Sequence, residues 1–103
     1  MGIKLTVLYG QPTNPAAFEK YYAEVHLPLA DKMTGFTRFE LCKGLPGPDG
    51  AKPAFYRTAE FWFESAAALQ ACFATPEAQA TTADLAYFAT GGVTMFVSEV
   101  VAE

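Results

Sequence analysis

A single histidine, His26, stands in the stretch FEKYYAEVHLPLADK from Phe18 to Lys32, four residues after Tyr22 and two before Pro28. An imidazole titrates near neutral pH, so one ring suffices to take or give a proton. Tyr22 precedes it by one helical turn, so the two side chains can share a face. From there Tyr22 can orient the ring or donate a hydrogen bond to a substrate oxygen. The same spacing also suits a structural histidine on an amphipathic helix, and the residues by themselves leave both readings open. Further along, Asp84 in TTADLAYFA reads as a helix N-cap or a first-turn carboxylate.

Other chemistries find less support. One histidine and two distant cysteines, Cys42 and Cys72, with no cluster of carboxylates at ligand spacing, make no zinc or iron signature. A haem with His26 as axial ligand has nothing else behind it. No glycine-rich loop leads from a strand into a helix, so no cradle for a phosphate or dinucleotide is visible; GLPGPDG is broken by proline and lies between two strand-like segments. No serine or cysteine sits in a nucleophile-elbow motif. Acid–base chemistry without metal or cofactor is what remains.

Elements of a small α+β domain must position these groups. Ile3 to Tyr9 alternates as a strand. Asn14 is the expected N-cap, with Pro15 at the first helical position. Phe18, Tyr21, Tyr22, Val25 and Leu29 follow at helical spacing. Pro28 disfavours the helical conformation at Leu27, which predicts a kink or break near His26 and a second short helical stretch through Met33. Phe36–Lys43 and Ala54–Glu64 read as strands flanking a Gly/Pro-rich loop at 44–53. Ser65 caps a helix through Phe73, Thr75 caps further helical turns at Pro76, and Val93–Val101 is the last strand. The order is βαββαβ, which one four-stranded antiparallel sheet with helices on one face satisfies, the ferredoxin-like arrangement.

In the third strand Phe55, Arg57, Ala59, Phe61 and Phe63 point one way, and Tyr56, Thr58, Glu60 and Trp62 the other. Phe96 and Val100 likewise oppose Val93, Met95 and Val97. Both sheet faces therefore carry apolar bulk, although helices can cover only one. Nine phenylalanines, five tyrosines and one tryptophan in 103 residues exceed what one small core needs. The economical solution is a homodimer with two sheets packed face to face. The charges Arg38, Glu40, Arg57 and Glu60 read as cross-strand ion pairs.

The length predicts a single domain over residues 1–103. Net charge is −4 and the basic residues are scattered, which argues against nucleic acid and against an anionic membrane surface. No window suits a signal peptide or a membrane span. The two cysteines read as small buried hydrophobes in a reducing cytoplasm.

The segment FEKYYAEVHLPLADKMTGF resembles the EthD family, named for a protein of ethyl tert-butyl ether degradation and part of the dimeric α/β-barrel superfamily. The matching pieces are the strand IKLTVLYG, then Phe18, Tyr22, His26, Pro28 and Leu29, then Gly35, with Trp62 and ADLAYFA downstream. Thr34 departs from the pattern, where a proline is common. The resemblance implies a ferredoxin-like fold, a homodimeric α/β barrel and a site role for His26. Its superfamily holds cofactor-free monooxygenases, ring isomerases, cyclases and dehydratases, along with haem enzymes.

The expectation is a cofactor-independent enzyme, or enzyme-like accessory protein, of small-molecule catabolism. An apolar pocket between sheet and helices would take a hydrophobic or aromatic molecule bearing a carbonyl or hydroxyl. His26 would move a proton, Tyr22 would orient it or polarise the oxygen, and Asp84 would anchor the far side. Tyr9, Phe18, Phe61 and Trp62 are the candidate binding residues. The alternative is a non-catalytic dimer that binds or delivers a hydrophobic metabolite, or an accessory subunit.

Overall fold

The computed structural model describes residues 2–103. Strand β1 (Ile3–Tyr9) leads into α1 (Pro15–Tyr21), a π turn over Tyr22–His26, and α2 (Leu27–Ala30). Then come β2 (Arg38–Lys43), β3 (Arg57–Phe63), α3 (Ala66–Phe73), α4 (Pro76–Asp84), a 3₁₀ turn over Leu85–Tyr87, and β4 (Val93–Glu99). The sheet order is β2-β3-β1-β4, and every pairing is antiparallel. This is the expected α+β, ferredoxin-like βαββαβ architecture.

Local chemistry accounts for the helix starts. The side chains of Asn14, Ser65 and Thr75 accept hydrogen bonds from the backbone N–H groups of Ala17, Ala68 and Ala78, at 3.1, 3.1 and 3.2 Å. Each satisfies one donor that the helix itself leaves unpaired. Gly35 follows the helical segment with φ +99°, a conformation that side-chain-bearing residues rarely adopt, and turns the chain toward β2.

Pro28 does not break the helix. Leu27 is helical at φ −62° and ψ −39°, and its N–H bonds the Tyr22 carbonyl in π register. Proline has no N–H to give and its ring crowds the carbonyl four residues earlier. Widening the turn just before Pro28 absorbs both problems, and such π turns often mark functional positions. The expected kink is therefore a local bulge within one helical run.

The register fixes the two faces of the sheet. Leu5 lies opposite Phe61 on one side and Val97 on the other, and Phe39 lies opposite Phe61. This face meets the helices, and Leu5, Val7, Tyr9, Ala59, Phe61 and Phe63 are buried in it. Phe63 is fully buried, and its truncation to alanine would cost about 3–5 kcal/mol. On the other face Lys4, Trp62 and Arg38 form a row across three strands. Arg38 and Lys4 lie over the Trp62 ring, 4.4 and 5.6 Å from its centre. Leu8 and Phe96 also belong to this face, but it is more polar than the aromatic count alone suggests. Glu40 and Glu60 sit directly opposite one another there. Their repulsion is offset by Lys4 bonded to Glu60 at 2.7 Å and Arg38 paired with Glu40.

Two expectations need correction. Arg57 pairs with Glu19 of α1 rather than across strands, at 2.7 Å, with Lys43 sharing the same carboxylate at 3.0 Å, and Arg38 pairs with Glu40 along its own strand, so that of these charges only Glu60, bonded by Lys4, is paired across strands. Cys72 is buried, but Cys42 is exposed, because β2 is an edge strand and Cys42 lies on its helix-free face. Among the described residues, no helix is long and apolar enough to cross a membrane.

Candidate active site

The π turn and the end of α4 bring His26 and Asp84 together from 58 residues apart. Asp84 is the last residue of α4 and stands at the N-cap position of the 3₁₀ turn over Leu85–Tyr87, but its side chain makes no capping bond. A carboxylate is disfavoured by the helix dipole at that end, so its placement answers to tertiary contacts. The Nδ1–H of His26 donates to one Asp84 oxygen at 3.1 Å, and the Tyr21 hydroxyl donates to the other at 2.6 Å. A carboxylate offers only acceptors, so the proton of the neutral ring belongs on Nδ1 and Nε2 carries the free lone pair. His26 and Asp84 are 5% and 7% exposed, which keeps this pair away from competing water.

Nε2 faces Tyr9, whose hydroxyl lies 3.5 Å away. The His26 ring stacks on Tyr22, with centroids 5.6 Å apart, and tilts against Phe88 at 4.6 Å. Two aromatic rings and one carboxylate therefore hold the imidazole in a single orientation.

Burial pushes the His26 imidazole below its ordinary range, and the Asp84 carboxylate opposes this without overcoming it. The ring is thus neutral at neutral pH and available as a base. Tyr9 moves the other way: burial, then the neighbouring Tyr22 and Asp84, push its hydroxyl well above the usual phenol range. Burial also raises Tyr22, against the pull of Arg57. Tyr21 is pushed up to about 12, first by its hydrogen bond to Asp84 and then by burial. All three tyrosines remain protonated donors around a neutral base.

Beside this group lies a cavity of about 410 Å³ between the sheet and the helices. Its floor is the helix-side face of the sheet, including Leu5, Val7, Ala59 and Phe61; Leu27, Met33, Phe73 and Leu85 are among its walls. The hydroxyls of Thr81 and Thr82 are tied back to the carbonyls of Glu77 and Ala78 in their own helix, at 2.8 and 2.9 Å. The remaining polar groups are Tyr9, Tyr22 and His26 together at one place, and Asp31.

Of the residues expected from sequence, Tyr9, Tyr22, His26 and Phe61 line the cavity. Asp84 stands behind His26 as its partner rather than across the pocket. Phe18 is buried behind the site, edge-on to Tyr9 at 5.6 Å, and does not line the cavity. Trp62 is on the wrong face: it neighbours Phe61 in the strand, and adjacent strand residues point to opposite sides. Tyr9, not Tyr22, holds the position nearest Nε2. Tyr21 and Phe88 had no assigned part in the site. A carboxylate in the last turn of α4 is the one local anomaly that could have pointed to such a network. Among the described residues, no three histidine, cysteine, aspartate or glutamate side chains are grouped to hold a metal ion.

Comparisons with known proteins bear on this arrangement. The family model for the EthD domain matches residues 10–92. An uncharacterized 11.0 kDa protein of the thcB-thcC intergenic region of Rhodococcus erythropolis is 40% identical over 98 residues, covering 93% of this chain and 92% of that protein. An ethyl tert-butyl ether degradation (EthD) family protein from Bacillus halodurans superposes with a TM-score of 0.89 at 30% identity, covering 98% of this chain and 100% of the other. At 17% identity, the cofactor-independent oxygenase SnoaB from Streptomyces nogalater shares the fold, with a TM-score of 0.67 over 99% and 95% of the two chains. A dimeric ferredoxin-like protein from Bacteroides fragilis does so too, at 15% identity, with a TM-score of 0.67 over 96% of each chain. The chain therefore belongs to the EthD family, and its ferredoxin-like fold is one that a cofactor-independent oxygenase and a dimeric protein also adopt.

Proposed function

We propose that this protein is a small acid–base enzyme of small-molecule catabolism, acting on a hydrophobic or aromatic compound that bears a carbonyl or hydroxyl. The observation that carries the reading is the buried Asp84–His26 pair, whose unprotonated Nε2, 3.5 Å from the Tyr9 hydroxyl, lies at the polar end of an otherwise apolar cavity. Nε2 takes a proton from a weakly acidic C–H or O–H. Asp84 holds the tautomer and stabilises the imidazolium that forms. The Tyr9 and Tyr22 hydroxyls donate to the oxygen on which charge develops. Isomerisation, dehydration and cofactor-free oxidation all begin with such a step, and SnoaB performs an oxygenation on this fold.

The working unit in this reading is a cytoplasmic homodimer, closed by the helix-free sheet faces into an α/β barrel. Phe96, 48% exposed, and Trp62 on that face support it. The test is deuterium exchange. A panel of aromatic ketones with acidic α C–H bonds is incubated with the protein in D₂O. The wild type accelerates exchange for at least one compound, and His26→Ala lowers that rate by about 10²- to 10⁴-fold while the circular dichroism spectrum is unchanged. Equal exchange by both proteins sinks the base. A second reading, a carrier that binds without converting, draws on the apolar extent of the cavity; it predicts binding with no exchange by either protein.

A further inference from the structure

The cavity is notable for a charge it lacks. Among the described residues that line it, no lysine or arginine occurs, and the one carboxylate is Asp31. Of the nearby cations, Arg57 and Lys43 both bond Glu19, Arg57 also lies over the Tyr22 ring at 5.2 Å, and Lys32 is exposed beside Asp31; none of them lines the cavity. Lys4 and Arg38 lie over Trp62 on the opposite face, paired with Glu60 and Glu40. The helical backbone adds to this bias. Ala30 and Asp31 end the α2 run, and Thr81 and Thr82 belong to the last turns of α4. The last turns of α4 thus bring a partially negative helix end toward the cavity, whereas the four-residue α2 lines it at both of its ends. An anion entering this space would lose hydration and meet no lysine or arginine among the described lining residues, a cost that apolar contact does not offset.

We propose that the substrate enters this cavity uncharged, as a neutral ring compound whose only polar handle is a ketone, phenol or similar oxygen, and that carboxylates, sulfonates and phosphates are excluded. This rests on the acid–base reading for the placement of the polar handle, and on the lining for the charge. The chemistry then has a simple logic. On proton transfer the substrate C–H or O–H bond breaks, its electron pair stays on the substrate as an enolate or phenolate, and an Nε2–H bond forms. The imidazolium so created, bonded through Nδ1–H to Asp84, is the one cation that the cavity presents, and it appears at the moment that the substrate becomes an anion. The site therefore discriminates by charge before the reaction and stabilises charge during it. A cavity of about 410 Å³ suits a small fused-ring compound.

The test is equilibrium binding by calorimetry, without turnover, of three compounds on one ring system: naphthol, acetonaphthone and naphthoate. The expected result is that the two neutral compounds bind and naphthoate binds at least about tenfold more weakly. Thr82→Lys places a cation on the exposed rim and narrows that gap by about tenfold. His26→Ala keeps the order, since the walls set it. Naphthoate binding as tightly as its neutral partners overturns the proposal. So does failure of all three compounds to bind, or a gap that Thr82→Lys leaves unchanged. A null deuterium-exchange result with this binding order intact sinks the base instead and leaves the charge selectivity standing.

Discussion

The imidazole of His26 donates through Nδ1 to the carboxylate of Asp84 across 3.1 Å, with both side chains nearly out of reach of water. That bond decides which ring nitrogen is free. With Nδ1 engaged, the lone pair is on Nε2, beside Tyr9 and on the cavity side.

Asp84→Asn tests the bond directly. An amide can offer its N–H to Nδ1, which moves the ring proton to Nε2 and blocks the base. The exchange rate is expected to fall by at least about 10²-fold with the fold retained. The His26 pKa also falls further, because the carboxylate is what opposes the effect of burial. Imidazole NMR, with a single histidine to observe, reads both the tautomer and the titration.

Tyr21 is a positioning residue, since it touches Asp84 and not the cavity. In Tyr21→Phe the carboxylate loses a donor at 2.6 Å and becomes a better acceptor for His26. The imidazole pKa should then rise toward its ordinary value, and the acid limb of the exchange pH profile should move up with it. A loss of stability with an unmoved His26 titration would make Tyr21 merely structural.

Stability should depend on pH through His26. The folded ring holds its proton less tightly than the unfolded one, so the unfolded state binds more protons as pH falls. The stabilisation is full above the unfolded value, about 6.5, and is lost as pH drops from there toward the lower folded value. Urea unfolding between about pH 7 and pH 5 should show stability falling by at most about 1.4 kcal/mol per pH unit from this group. His26→Gln should remove that slope. Glu19 acts in a separate, more acidic window. Burial raises its pKa, but the hydrogen bonds from Arg57 and Lys43 and their charges outweigh this and hold it below the ordinary value.

The dimer is tested on the helix-free face. Phe96→Lys puts a charge where the barrel reading places a second sheet, on a side chain that is 48% exposed in the single chain. Light scattering should show a dimer for the wild type and a shift to the 11.1 kDa monomer for the variant. A wild type that is monomeric at micromolar concentration removes the barrel.

Much of the scaffold is local and was legible in the sequence. Alternation alone placed β1 at Ile3–Tyr9, and the capping chemistry of Asn14, Ser65 and Thr75 marked three helix starts. These depend on neighbours within a few positions, which a sequence displays. The same local logic should have removed Trp62 from the pocket, since Phe61 and Trp62 cannot share a face. Local spacing joined only His26 to Tyr22; Asp84, Tyr9 and Phe61 were candidates from the sequence, but with no indication of which of them meets the imidazole. Its partner Asp84 and the hydroxyl of Tyr9 come from other elements, 58 and 17 residues distant. Their meeting is set by how α4 and β1 pack against the π turn. The steric demand of Pro28 on Leu27 predicted a kink or break near His26, but the packed helix took a π turn instead. What the sequence by itself determined was therefore the elements, their order and one reactive group. Tertiary packing decided which nitrogen of that group is left unprotonated, which residues face it, and that no lysine or arginine is among the described residues lining the cavity beside it.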